Sequence, residues 1–175
     1  MILHGMECNM KKGFTLIEML LYLSILSIVV LALSSFLYLS YSSRVKATVI
    51  AEVEQQGNQI MSIINQNIRN SQSITSPAAG VSAGSITLAE YSAPLSPTIF
   101  SQSVNKLQIT EGATSAVDIT SNRVIVSSLT FQNLSRASTP GIIRIQFTLS
   151  HVNPSNIGEY IYSKTFTSTT SLRYP

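Results

Sequence analysis

Between Met19 and Ser43 the chain carries no Asp, Glu, Lys or Arg. A helix rises about 1.5 Å per residue, so this uncharged run is long enough to cross a hydrocarbon layer about 30 Å thick and predicts a membrane-spanning helix. Lys11 and Lys12 precede the run and Arg44 and Lys46 follow it, so counting flanking charges gives only a weak orientation signal. The short N-terminal side decides instead, and the long polar C-terminal part is expected outside. Beyond Arg44 the residues Val49, Val53, Gly57, Ile60, Ile64 and Ile68 recur at steps of three and four, the stripe of an amphipathic helix. Ile50, Met61 and Ile63 widen that stripe, while Glu52, Glu54, Gln55, Asn58, Gln59 and Gln66 fall on other faces. No proline intervenes before Pro77, so both segments are expected to form one rod ending near Ser71, roughly 58 residues and about 87 Å long. Gly57 on the stripe is expected either to admit a sheet backbone closely or to weaken the helix locally.

Ser76-Pro77-Ala78-Ala79-Gly80 ends the helical pattern, and the remainder is rich in Ser, Thr, Val and Ile, with the turn signals Glu111-Gly112, Pro140-Gly141 and Asn153-Pro154. Strands are expected at Ser85–Ala89, Thr98–Ser103, Lys106–Thr110, Ala116–Thr120, Val124–Asn133, Ile142–His151 and Glu159–Thr167. The clearest is Ile143 to Leu149, apolar at odd and polar at even positions, as a sheet with one buried face requires. The sheet face and the helix stripe both need cover and are expected to cover each other. The predicted class is α+β: a long N-terminal helix, membrane-embedded in its first half and amphipathic in its second, packed on an antiparallel head. The Ser/Thr-rich stretch Thr165–Ser171 is expected to be a solvent-facing edge. The expected division is 1–13 as a leader, 14–43 as the membrane helix, 44–75 as its amphipathic extension and 76–175 as the head.

A length of 175 residues suits one folded head with a long appendage rather than two domains each with its own core. The net charge of +3 does not support a nucleic-acid surface, because Arg123, Arg136, Arg144 and Lys164 are interspersed with Glu111, Asp118 and Glu159. A solvated mixed surface is expected. The single cysteine, Cys8, precedes the apolar run and allows no intrachain disulfide, so the head must hold together by burial alone.

The stretch Lys11-Lys12-Gly13-Phe14-Thr15-Leu16-Ile17-Glu18 runs directly into Met19-Leu20-Leu21-Tyr22-Leu23. An ordinary secretory signal places its cleavable small residue after the hydrophobic segment; here Gly13 lies before it, so a cut there leaves the apolar helix on the mature protein. Lysines hold a leader on the cytoplasmic side, and glycine lets the chain extend into a protease groove. Glu18 is costly at the edge of an apolar membrane helix, by about 2.5–3.5 kcal/mol on the insertion scale for Asp at a helix centre. It needs a partner. A cut behind Gly13 would give Phe14 a free α-ammonium within one turn of Glu18, and staggered helices would then pair these charges between molecules. At ~4 Å and an effective dielectric near 20 such a pair is worth about 4 kcal/mol before desolvation, which makes it a device of register more than of stability. Two plainer readings are an uncleaved signal anchor and a cleavable signal cut near Ala32-Leu33-Ser34; neither gives Glu18 a purpose.

These residues resemble the cleavage and methylation signature of type IV pilins and of the pseudopilins of type II secretion. The resemblance implies a pilin-like fold, cleavage between Gly13 and Phe14 by a prepilin peptidase guided by Lys11 and Lys12, and N-methylation of Phe14. It further implies assembly through Phe14 and Glu18. Implied partners are other pilin or pseudopilin subunits, the prepilin peptidase, an inner-membrane assembly platform and membrane lipid. The implied location is a single-pass inner (cytoplasmic) membrane protein that becomes part of a periplasmic or cell-surface filament. Many major pilins have a proline within the membrane helix, around where this chain has Ser35, and many close the head with a C-terminal disulfide. Both are missing here, which favours a minor pilin or minor pseudopilin. Initiation at Met10 in place of Met1 would leave a leader of four residues.

No catalytic, metal or cofactor site is expected. After a cut behind Gly13 the chain keeps one histidine, His151, one aspartate, Asp118, and no cysteine. His151, next to the Asn153-Pro154 turn, reads as a surface residue. Gly80 and Gly84 lack the spacing of a phosphate loop and read as a small-residue connector, and Asn133-Leu134-Ser135 fits a glycosylation triplet of the kind that arises by chance. The function expected is that of a filament subunit in secretion, DNA uptake, adhesion or motility. The alternative is a membrane-anchored, adhesin-like binding module that does not polymerise.

Overall fold

A computed structural model describes residues 13–173. The architecture is α+β: one long helix, α1 (Leu16–Asn70), followed by antiparallel strands. The chain divides into two compact units, Met1–Ser42 and Ser43–Pro175.

In the first unit α1 is apolar on every face, and its large side chains from Leu16 to Tyr41 are exposed. Its serines do not spoil this character. The Ser24, Ser27, Ser34 and Ser35 hydroxyls each donate to the carbonyl three or four residues back, at 2.8–3.0 Å, so their polarity is satisfied within the helix. α1 is continuous through Ser34-Ser35. By length and composition it holds one segment able to span a membrane.

In the second unit the helix stripe is buried as its spacing predicts, at Val49, Val53, Gly57, Ile60, Ile64 and Ile68. The strands form two sheets where one was expected. β1 (Ser73–Ser76), β3 (Ile86–Ala89), β4 (Thr98–Ser103), β5 (Lys106–Glu111) and β6 (Val117–Asp118) make one, in the order β1-β3-β4-β5-β6. The other is β2 (Ser82–Ala83), β7 (Val124–Asn133), β8 (Ile142–His151) and β9 (Ser163–Ser171), in the order β2-β7-β8-β9. One core joins the helix to both: Val53, Ile60, Ile64 and Ile68 cluster with Ile86, Leu88, Phe100 and Leu107 of the first sheet and with Phe131, Ile145, Phe147 and Phe166 of the second. Along β8, Ile143, Ile145, Phe147 and Leu149 are buried, as the alternation requires.

Several expectations need correction. The helix stops at Asn70, in line with the expected end near Ser71, but β1 (Ser73–Ser76) already begins inside the segment 44–75 assigned to the helical extension. Competing partners end the helix there: Gln72 N–H donates to Ala89 O at 2.8 Å and Arg173 N–H to Arg69 O at 3.2 Å. The last strand is Ser163–Ser171 rather than Glu159–Thr167, because Gly158–Tyr160 forms a 3-10 turn. Its apolar residues do not alternate, so nothing in that stretch fixes its start. β9 does end its sheet, but Phe166 and Thr170 face inward and are buried. Ala116–Thr120 shrinks to the two-residue β6. Gly57 makes room not for a sheet backbone but for the Phe166 ring, which a Cβ there would penetrate.

Candidate functional site: the start of the long helix

Thr15 sets the first turn. Its carbonyl accepts the Glu18 and Met19 N–H groups at 3.1 and 3.2 Å, and its Oγ1 accepts the Glu18 N–H at 3.3 Å. Thr15-Leu16-Ile17-Glu18 thus has the spacing of a capping box, in which a threonine satisfies N–H groups that the first turn leaves without helical partners. The Glu18 side chain is not folded back onto Thr15. It accepts the Tyr22 hydroxyl at 3.1 Å, one turn further on. The Phe14 ring meets the Tyr22 ring edge-on, with centroids 6.3 Å apart. Tyr22 therefore meets both residues on which an assembly role was expected to fall: Glu18 four residues back on the same helix face, and Phe14 just before the helix begins.

Gly13 has open space around it. An added Cβ would meet nothing within 4 Å, and its φ lies outside the left-handed region. The folded chain itself gives no packing or backbone reason for a glycine there. Lys11 and Lys12 lie outside the described residues. The nitrogen of Phe14 is here a peptide nitrogen, so an ammonium facing Glu18 arises only on cleavage.

Residues 8–34 match the family model of the prokaryotic N-terminal methylation motif. The motif is of the type IV pilin type, and its bearers are structural subunits rather than enzymes. No curated protein and no solved structure matches the chain. The matched segment holds every residue of the geometry above, from Gly13 to Tyr22, and ends within the apolar helix. The match supports a prepilin-type N-terminus and, with the apolar first half of α1, membrane anchoring, and the helix-plus-sheet architecture is consistent with a pilin-like fold.

In the sequence Tyr22 reads as part of the apolar run, although its distance of four from Glu18 is a legible signal. His151 is a second correction. It is not on the surface: only 10% of its side chain is exposed, its Nδ1 lies 2.8 Å from Val152 O, and its Nε2 lies 3.6 Å from Glu52 Oε2. As the last residue of β8 it turns toward α1. Asn133 is buried, with its amide donating to Pro77 O at 2.7 Å and its carbonyl accepting Ser135 N–H at 3.0 Å, so its polar atoms serve the turn. Among the described residues no three His, Cys, Asp or Glu side chains are grouped to hold a metal.

Proposed function

We propose that the chain is a minor pilin or minor pseudopilin, cut between Gly13 and Phe14 by a prepilin peptidase, methylated on the Phe14 nitrogen, and assembled through α1 into a type IV pilus-like filament. In this reading 1–13 is the leader, 14–43 the filament-core helix, and the remainder the head with its helical support. The subunit waits in the inner membrane with its head outside, then enters a periplasmic or surface filament by way of an assembly platform. Its task is to prime, tip or adapt that filament in secretion, DNA uptake, adhesion or motility.

The observation that carries the proposal is a carboxylate held at the mouth of an otherwise apolar helix, four residues from the position where cleavage creates an ammonium. A lone membrane tether gains nothing from Glu18, whereas a bundle of staggered helices gains register from it. Tyr22 supports the same reading, since its hydroxyl gives the carboxylate a hydrogen bond until the neighbouring ammonium arrives.

Substitution of Glu18 by Val tests the proposal. Membrane insertion and head folding are expected to persist while cross-linking into filaments with the other subunits is lost. Normal assembly of Glu18→Val would reject the filament reading and leave the non-polymerising binding module.

A further inference from the structure

At the end of the head from which the chain continues toward residue 43, a cleft of about 530 Å³ is lined by Arg44, Glu52, Arg123, His151 and Tyr160 among others. Its place follows from the register of β9 along the helix. Lys164 meets Glu54 at 2.7 Å, Ser168 meets Asn65 at 3.2 Å and Thr170 meets Arg69 at 3.3 Å, so β9 and α1 ascend together. The β8–β9 connection, residues 152–162, precedes Ser163 and so lies back toward the low-numbered end of the head. The Tyr160 ring is 5.4 Å from His151, which faces Glu52. Arg44 is the first charged residue after the uncharged run. Arg44 follows directly on Ser43, so chain connectivity alone brings this lining residue to the end of the span, where phospholipid headgroups lie, given the reading of Met19–Ser43 as the membrane span.

The chemistry of the cleft suits a phosphate diester. Among the described residues Arg44 has no ion-pair partner, and Arg123 reaches Glu52 only at 3.5 Å with 73% of its side chain exposed. A guanidinium so loosely held is free to turn, and two of them present the planar forks that chelate phosphate oxygens. The same connection exposes the apolar pair Ile157 and Ile161, and Val45, Val49 and Val152 line the cleft beside its charged side chains. Interfacial anchors combine apolar insertion with cations in this way. The opposing charge inside the cleft is Glu52, whose carboxylate lies 3.5 Å from Arg123 and 3.6 Å from His151, so a phosphate would take Arg123 over from it; Glu159, half-buried on the connection, does not line the cleft.

We propose that this cleft binds the phosphate of an anionic phospholipid, through Arg44 and Arg123, while Ile157 and Ile161 dip into the interface and hold the head against the bilayer before assembly. This rests on the membrane-spanning reading, and the test separates the two. The full chain is reconstituted into discs of phosphatidylcholine with and without phosphatidylglycerol, and amide hydrogen exchange is followed over residues 153–162. Exchange is expected to slow in discs containing phosphatidylglycerol, with each arginine contributing about a fivefold change. Arg44→Gln and Arg123→Gln should each remove their share, Arg123→Lys, which keeps the charge and loses the fork, should keep only part of the effect, and inorganic phosphate added to phosphatidylcholine discs should do nothing. Equal exchange in both lipids, or slowing by free phosphate alone, overturns the headgroup site and leaves the anchor intact. Failure of the chain to enter either disc overturns the anchor and the site with it.

Discussion

Gly57 and Phe166 show how one missing side chain organises the core. The stripe of α1 would present a Cβ where the Phe166 ring sits, stacked on Phe147 at 5.5 Å between centroids. Alanine at this position gains about 1 kcal/mol of helix propensity, but overpacking a filled core costs about 1–3 kcal/mol, and the ring is wedged between helix and strand. Gly57→Ala should therefore destabilise the head in urea unfolding. In a Phe166→Ala background, itself costing about 3–5 kcal/mol, the same change should become neutral or stabilising. A destabilisation that persists in that background would mean that the ring is not the obstacle. Tyr22 is the corresponding single residue in the membrane segment. Tyr22→Phe removes the hydroxyl from Glu18 and keeps the ring, so cleavage should be unchanged while the uncleaved and cleaved monomers become less stable in the membrane by about 1 kcal/mol. Reversible unfolding in detergent checks this, and an effect on cleavage instead would assign Tyr22 to the protease interaction.

Between elements, the contact of α1 with β9 carries a charged tie: Lys164 Nζ lies 2.7 Å from Glu54 Oε1, and the Tyr162 hydroxyl donates to the same oxygen at 3.3 Å. The hydrogen bond and charge of Lys164 hold the Glu54 carboxyl below its ordinary range, and the bond to Glu54 raises Lys164 above its own. A lowered carboxylate contributes stability that is present above the unfolded value and lost as pH falls through the folded one. A raised lysine contributes stability that is present below its unfolded value and lost as pH rises through the folded one. The tie is thus whole near neutrality and lost at both extremes. Both partners are about 40% exposed, so Glu54→Gln should cost little at pH 7 and flatten the acid limb of the stability profile. An unchanged acid limb in that variant would show that the pair does not feel folding.

The elements also show what a sequence discloses. The ends of β4, β7 and β8 coincide with expectation because apolar residues crowd or alternate between turn signals there. In β7 the buried positions switch from Val124 and Val126 to Leu129 and Phe131, where Ser128 at φ 54° forms part of a bulge opposite β8. That change of parity is visible in the sequence once a bulge is allowed. β1 and β2 have four and two residues and no alternation, so they exist only through their partners β3 and β7. Their pairing, and the division into two sheets, is tertiary information. The candidate site is local in sequence, since Gly13, Phe14 and Glu18 fall within six residues at the start of α1. The cleft at Arg44, Arg123 and His151 brings together three distant stretches and left no local mark.

For the whole molecule, every side chain in the hydrophobic cluster comes from Val53 or later, which places the cohesion of the head beyond the apolar run. A fragment of residues 44–175 is expected to be monomeric in water and to unfold cooperatively, with Val49, the first buried residue of the stripe, still covered. Broad, non-cooperative unfolding of that fragment would show that the head depends on the first unit. The central claim, however, concerns the other end of the chain. Mass spectrometry of the mature protein from its native membrane tests it most directly. The account predicts a product whose first residue is N-methyl-Phe14. An uncut chain, or a product beginning after Ser34, would contradict it.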